Sequence, residues 1–149
     1  MEVSRNDKPN VLFLCTGNSC RSQMAEGWAK RLKPGAANFY SAGIETHGLN
    51  PNAVQVMAEA GVDISSHRSQ SVAELADVRF DWVFSVCDHA RKTCPELPGS
   101  GHHVAALFDD PPALASSLDS EADRLAVYRR VRDEIRAFVE ALDLSGGSQ

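Results

Sequence analysis

Apolar positions along the chain pass from unbroken runs to helical spacing and back, and each change marks an element. Val11-Leu12-Phe13-Leu14-Cys15 is apolar throughout, the pattern of a strand covered on both faces. The next segment carries Ala25, Trp28, Ala29 and Leu32 at helical spacing and stops at Pro34-Gly35, residues that end helices. Asn38 to Ile44 reads as a second strand, weakened by Gly43. Asn50-Pro51 opens a helix with an asparagine cap and a proline in the first turn. That helix sets Val54, Met57 and Ala58 on one face and closes at Gly61. Gln70 to Val78 predicts a short helix, Trp82 to Cys87 a buried strand, and His102 to Phe108 a strand of edge-like composition. A closing helix runs from about Ser120 to Leu142, with Ser120 and Asp123 as a capping box. Its buried stripe is Tyr128, Val131, Ile135, Phe138 and Leu142.

Strands alternating with helices predict an α/β fold with a parallel sheet. Ligands of such sheets sit at the carboxyl ends of the strands. Cys15 and Cys87 each end a predicted strand, so both are expected on one rim. Residues 10–144 are read as a single catalytic domain, with 1–9 and 145–149 as flexible ends.

The chain has 149 residues and a net charge of −5, which argues against nucleic acid as a partner. Its start lacks the basic and apolar regions of a secretion signal, and no apolar run reaches membrane-spanning length. A cytoplasmic location is therefore expected, and nothing requires more than a monomer. In that compartment four cysteines point to reactive or metal-bound thiols over permanent cross-links.

The chemistry concentrates in Cys15-Thr16-Gly17-Asn18-Ser19-Cys20-Arg21-Ser22, between the first strand and the first helix. A loop that curls from strand to helix turns successive N–H groups inward, and the helix dipole adds positive potential. Gly17 lets the backbone come close, and Asn18 tolerates left-handed geometry. The planar fork of Arg21 suits two oxygens of a tetrahedral anion. The same field favours Cys15 as a nucleophilic thiolate, to which Ser22 can donate. Arginine six residues after a cysteine is weak by itself, because a buried cysteine in an ordinary turn can match it. The strand before and the helix after give the motif its weight. Cys20 reads as a small packing residue of the loop.

Cys87 and Cys94 are seven residues apart. On a regular helix their α-carbons would lie about 10 Å apart along the axis, whereas a disulfide needs less than about 7 Å. They can bond only where the segment is irregular, and Pro95 and Pro98-Gly99 favour that. The pair reads as an oxidation-dependent switch, with core cysteines or a zinc site with His102 or His103 as the alternatives. His47, His67 and His89 have no partner identifiable from sequence. A thiolate that attacks an oxyanion must expel an oxygen, and an acid lowers that barrier. Phe108-Asp109-Asp110-Pro111-Pro112 offers, on a stiff loop after a strand, two carboxylates that raise one another's proton affinity. Asp110, restricted by the following proline, is the expected acid; a solvated turn residue is the alternative.

With these elements in place, the chain resembles the low-molecular-weight phosphatase superfamily, in its arsenate reductase branch. The resemblance runs from Val11 to the last helix and rests on Cys15 to Gly27, Tyr40-Ser41-Ala42-Gly43, Asn50-Pro51-Asn52-Ala53, Cys87 with Cys94, and Phe108-Asp109-Asp110-Pro111. It implies a four-stranded parallel sheet flanked by helices; for this chain no cofactor and no bound metal is expected. It also implies that Cys15 attacks arsenate held by Thr16, Gly17, Asn18, Ser19, Cys20, Arg21 and Ser22, while Asp110 protonates the departing oxygen. Cys87 and then Cys94 would carry the oxidation outward to thioredoxin or another thiol reductant. Phosphate and sulfate would compete for the cradle. Reducing arsenic from +5 to +3 takes two electrons, which one dithiol supplies.

Members that bind potassium carry small oxygen-bearing and acidic residues after an Ile-Ser pair. Here Ile64-Ser65 is followed by Ser66-His67-Arg68-Ser69-Gln70. Asn18, Glu26 and Ser41 match that site, while Arg68 and Gln70 depart from it. The expectation is a lost cation site at which Arg68 supplies the charge. Two other functions compete: a tyrosine phosphatase or small phosphomonoesterase, and a redox-sensing or anion-binding module. Pro112 stands where phosphatases carry a tyrosine, and the phosphatase reading leaves Cys87 and Cys94 without a task.

Overall fold

The computed structural model describes residues 8–86, 102–142 and 144. Cys87, Cys94 and His89 lie outside the described residues. The elements are β1 (Asn10–Cys15), α1 (Arg21–Leu32), β2 (Asn38–Gly43), α2 (Pro51–Glu59), a single 3-10 turn (Val72–Leu75), β3 (Trp82–Ser85), β4 (His102–Ala105), α3 (Pro111–Ala115) and α4 (Glu121–Glu140). The strands form one parallel sheet in the order β2-β1-β3-β4. The fold is the expected four-stranded parallel sheet flanked by helices.

β1 is central, and alternation distributes its side chains. Val11 and Phe13 enter the core cluster built with α1, α2 and α4. Leu12 and Leu14 enter the other, with Ala42, Val72, Leu75, Phe80 and Val83. Residues 11–14 are completely buried, as the unbroken apolar run predicts. The chain leaves β1 for β2 on one side and later returns to β3 on the other. A crevice therefore opens at the carboxyl end of β1, the switch point of such sheets.

Several elements differ in detail from the sequence reading. The predicted helix over 70–78 shortens to one 3-10 turn, because the Gln70 backbone is held elsewhere. Its carbonyl accepts from Gly43 N at 2.9 Å, and its N–H donates to Asn18 Oδ1 at 2.8 Å. α2 buries Ala53, Val56 and Met57, one residue round from the expected Val54, Met57 and Ala58. Ala58 is exposed and Val54 half-buried. The small Ala53 allows the closer approach, a choice that 3-4 spacing alone leaves open. At α4 the Ser120 hydroxyl accepts from Asp123 N at 3.3 Å. No reciprocal bond from the Asp123 carboxylate is present among the described residues, and aspartate is a methylene shorter than the glutamate of a full capping box. α4 buries Leu125, Tyr128, Val131, Ile135 and Val139, leaving Phe138 and Leu142 half-buried. The predicted strand over 102–108 ends at Ala105, level with the end of its partner β3. Pro111 and Pro112, read as a stiff loop, instead open α3 with Asp110 as its cap residue. Proline is well suited to a first turn, where its missing N–H leaves no partner unmet.

Candidate active site

The loop from Cys15 to Cys20 is shaped by where its carbonyls go. Cys15 O accepts from Ile44 N at 3.2 Å, Thr16 O from Glu45 N at 3.0 Å, and Gly17 O from His47 N at 3.0 Å. Ser69 Oγ also donates to Gly17 O, at 2.9 Å. Asn18 O accepts from Gln23 Nε2 at 3.2 Å. Ser19 O and Cys20 O accept from Asn50 N and Met24 N, both at 2.9 Å. All six carbonyls are thus directed outward. In a trans peptide the following N–H points the opposite way, and no cis bond occurs among the described residues. The N–H groups of Thr16 to Arg21 are accordingly turned toward the concave side. α1 begins at once behind them, with no acid in its first turn and no side-chain bond from its cap residue, Cys20. Its positive end is therefore offered to the cradle.

Asn18 takes the left-handed conformation, with φ 50°, and is completely buried. Its Nδ2 donates to Ser22 Oγ at 2.9 Å and Ser41 Oγ at 3.0 Å. Its Oδ1 accepts from Gln70 N at 2.8 Å and Gln23 Nε2 at 3.0 Å. One side chain thus ties the loop to α1, β2 and the 67–70 segment. Gly43, opposite Cys15 in the β1–β2 register, is needed for close approach. A Cβ there would lie 2.7 Å from both Thr16 O and Asn18 N.

Arg21 is 9 % exposed. Its Nη1 donates to Phe108 O at 2.9 Å, and its Nη2 lies 3.6 Å from Asp110 Oδ1. Its Nε is buried and has no hydrogen-bond partner among the described residues. The neighbouring Asp109 turns away, to Arg130 Nη2 at 3.0 Å. The expected partnership of adjacent carboxylates is thereby replaced by two separate ion pairs. Cys20 is buried, and burial pushes its thiol from the ordinary 9.0 up to about 12, partly opposed by Arg21.

These groups meet at a pocket of about 490 Å³ lined by Cys15, Thr16, Gly17, Ser19, Cys20, Arg21, Asp110 and Pro112 on one part of its wall. Asn18 and Ser22 stand behind the lining as scaffold. His47, Gly48, Leu49, Asn50 and Pro51 complete the wall, and the sequence reading did not place them there. Their place follows from β2 lying beside β1, so that the segment after Gly43 emerges at the same rim; the element pattern of the sequence carries no signal for that pairing.

The residues matching a potassium site do not fit a cation. Ser41 Oγ donates to Glu26 Oε1 at 2.6 Å and accepts from Asn18, while Gln70 Nε2 donates to Ser41 O at 3.0 Å. Lys30 Nζ occupies Glu26 Oε2 at 2.5 Å. The expectation that Arg68 supplies the charge is not met: its guanidinium reaches Glu74 Oε1 at 2.9 Å and stays largely exposed. His67 lies closer, 3.9 Å from Glu26, with Nδ1 donating to Gln23 Oε1 at 2.9 Å. Burial holds its pKa below the ordinary value despite the opposing pull of Glu26.

Residues 10–143 match the family model of the low molecular weight phosphotyrosine protein phosphatases. The chain belongs to this family. Within the phosphatase family, a relative named arsenate reductase from Halalkalibacterium halodurans is 50% identical over 140 residues, covering 94% of this chain and 99% of the relative. A solved arsenate reductase in its oxidized state superposes with a TM-score of 0.73 at 32% identity, covering 90% of this chain and 95% of the other. An arsenate reductase in the phosphate binding state gives 0.65 at 31% identity, covering 89% and 94%.

Proposed function

We propose that this chain is an arsenate reductase that works through a three-cysteine relay. The observation that carries the reading is the Nε of Arg21, buried and without a hydrogen-bond partner among the described residues, at a loop whose carbonyls all face outward. A buried guanidinium donor without an acceptor is costly, and a tetrahedral oxyanion supplies the acceptor. The cradle N–H groups and the α1 dipole hold the same anion.

Cys15 Sγ attacks arsenic, forming a sulfur–arsenic bond as an oxygen departs. Asp110, beside Arg21, gives that oxygen a proton so that it leaves as water. Cys87 then attacks Cys15 Sγ. The Cys15–Cys87 disulfide forms, the sulfur–arsenic bond breaks, and its electron pair stays on arsenic, which departs as arsenite. Cys94 displaces Cys15 from Cys87 and leaves a Cys87–Cys94 disulfide for a thioredoxin-type dithiol to reduce. Two thiols are oxidised and one arsenic is reduced by two electrons, so the step balances. Val86, the residue before Cys87, donates its N–H to Leu14 O at 2.8 Å, which supports a second thiol near the carboxyl end of β1. The reaction needs a reducing compartment, in keeping with a cytoplasmic monomer.

The test is arsenite production from arsenate with thioredoxin and with glutathione–glutaredoxin supplied separately, with mass mapping of the disulfide that accumulates. Multiple turnover with a dithiol system supports the reading. Robust aryl phosphate hydrolysis without thiols, and no arsenite, overturns it in favour of a phosphatase.

A further inference from the structure

His47 has no part in the relay, yet it is held at the pocket wall through its backbone and, at an exposed ring, through Glu45. Its backbone N–H donates to Gly17 O at 3.0 Å, and its ring Nε2 meets Glu45 Oε2 at 2.7 Å. A carboxylate only accepts, so Nε2 is the donor of that bond. The ring packs against Gly17: a Cβ there would come 2.6 Å from His47 Cγ. Imidazole and loop backbone are therefore in contact with no gap between them. The ring lines the same pocket as Leu49, Pro51 and Pro112.

An unsubstituted tetrahedral anion fits within the cradle. An ester of the same anion sends its substituent out through the mouth, past whatever forms the wall. We infer that His47, held by Glu45, is a specificity-determining residue that restricts the site to free inorganic oxyanions over aryl esters and aryl phosphonates. The inference rests on the arsenate reductase reading of this site, and its physical content is steric. The ring must move before a bulky substituent can enter; the Gly17 contact resists that movement, and the Glu45 pair, exposed at both ends, adds a smaller part. Discrimination of this kind, by the filling of a pocket wall, amounts to about tenfold or more.

The measurement is the affinity of inorganic phosphate relative to phenylphosphonate, by calorimetry, for the native chain, H47A, H47F and E45A. H47A is expected to shift the ratio about tenfold or more toward phenylphosphonate. H47F, which refills the volume without the Glu45 bond, shifts the ratio in the same direction by a clearly smaller factor than H47A. E45A unties the ring and shifts the ratio in the H47A direction by a smaller factor. Equal weakening of both ligands in H47A, or an H47F ratio as altered as that of H47A, overturns the inference. The binding ratio involves no electron transfer. Failure of the native chain to make arsenite would thus sink the reductase reading and leave this ratio to judge His47 separately.

Discussion

Asn18 and Gly43 do at the residue scale what no pocket-lining side chain does: they hold the cradle's shape. Replacing Asn18 with alanine removes the side-chain partner of Ser22, Ser41, Gln23 and Gln70 and leaves a positive φ to a residue that disfavours it. The expected cost is about 2–4 kcal/mol in urea unfolding. An N18A chain of native stability would show that the network is dispensable. Cys20 gives a pH prediction of definite sign. Its thiol is raised to about 12 in the folded chain, so above pH 9 the unfolded state loses a proton that the folded state keeps, and stability falls as pH rises. Between about pH 8.5 and 10.5 the native chain is expected to lose about 2 kcal/mol more than C20A. Parallel curves for the two proteins would contradict the burial argument. The cradle itself was legible in the sequence, because a strand, a small polar loop and a helix are local patterns. The orientation of Arg68 was not: its choice of Glu74 over Glu26 depends on side chains brought together only by the folded 67–75 segment.

Elements set where the acid stands. Asp110 is extended at the head of α3, and Phe108 O is clamped by Arg21 Nη1, so this segment and the cradle are joined by one guanidinium. D110A is expected to slow the first chemical step about 10²-fold or more while inorganic phosphate binding changes little. Pre-steady-state arsenate consumption against phosphate affinity separates the two, and equal loss in both would reduce Asp110 to a binding group. The prolines that hid α3 in the sequence also explain it, since the same dipeptide serves as a stiff loop or as a first helical turn. The rotated face of α2 has a comparable origin. Positions 53, 56 and 57 and positions 54, 57 and 58 share one spacing, and only the packing partner decides between them.

For the molecule as a whole, the relay is the prediction that matters most. C94S is expected to yield about one arsenite per chain and then stop with Cys15 bonded to Cys87, one dithiol having been consumed per arsenic reduced. Continued cycling of C94S with thioredoxin would remove Cys94 from the pathway. A parallel sheet was accessible from alternation of strands and helices, but the order of its strands, and with it the wall of residues 47–51, was not. It required knowing that β2 lies beside β1 with Gly43 level with Cys15.

The outward-turned carbonyls have one more consequence. A receptor assembled before its guest arrives grips every tetrahedral dianion of similar radius, and phosphate, abundant in any cell, has the same outline as arsenate. Affinity in the loop therefore offers little basis for telling the two apart. Under the proposed relay, the sorting falls to the event after capture, when the central atom must accept an electron pair from sulfur: arsenic can do so, whereas phosphorus, which thiols do not reduce, would be released.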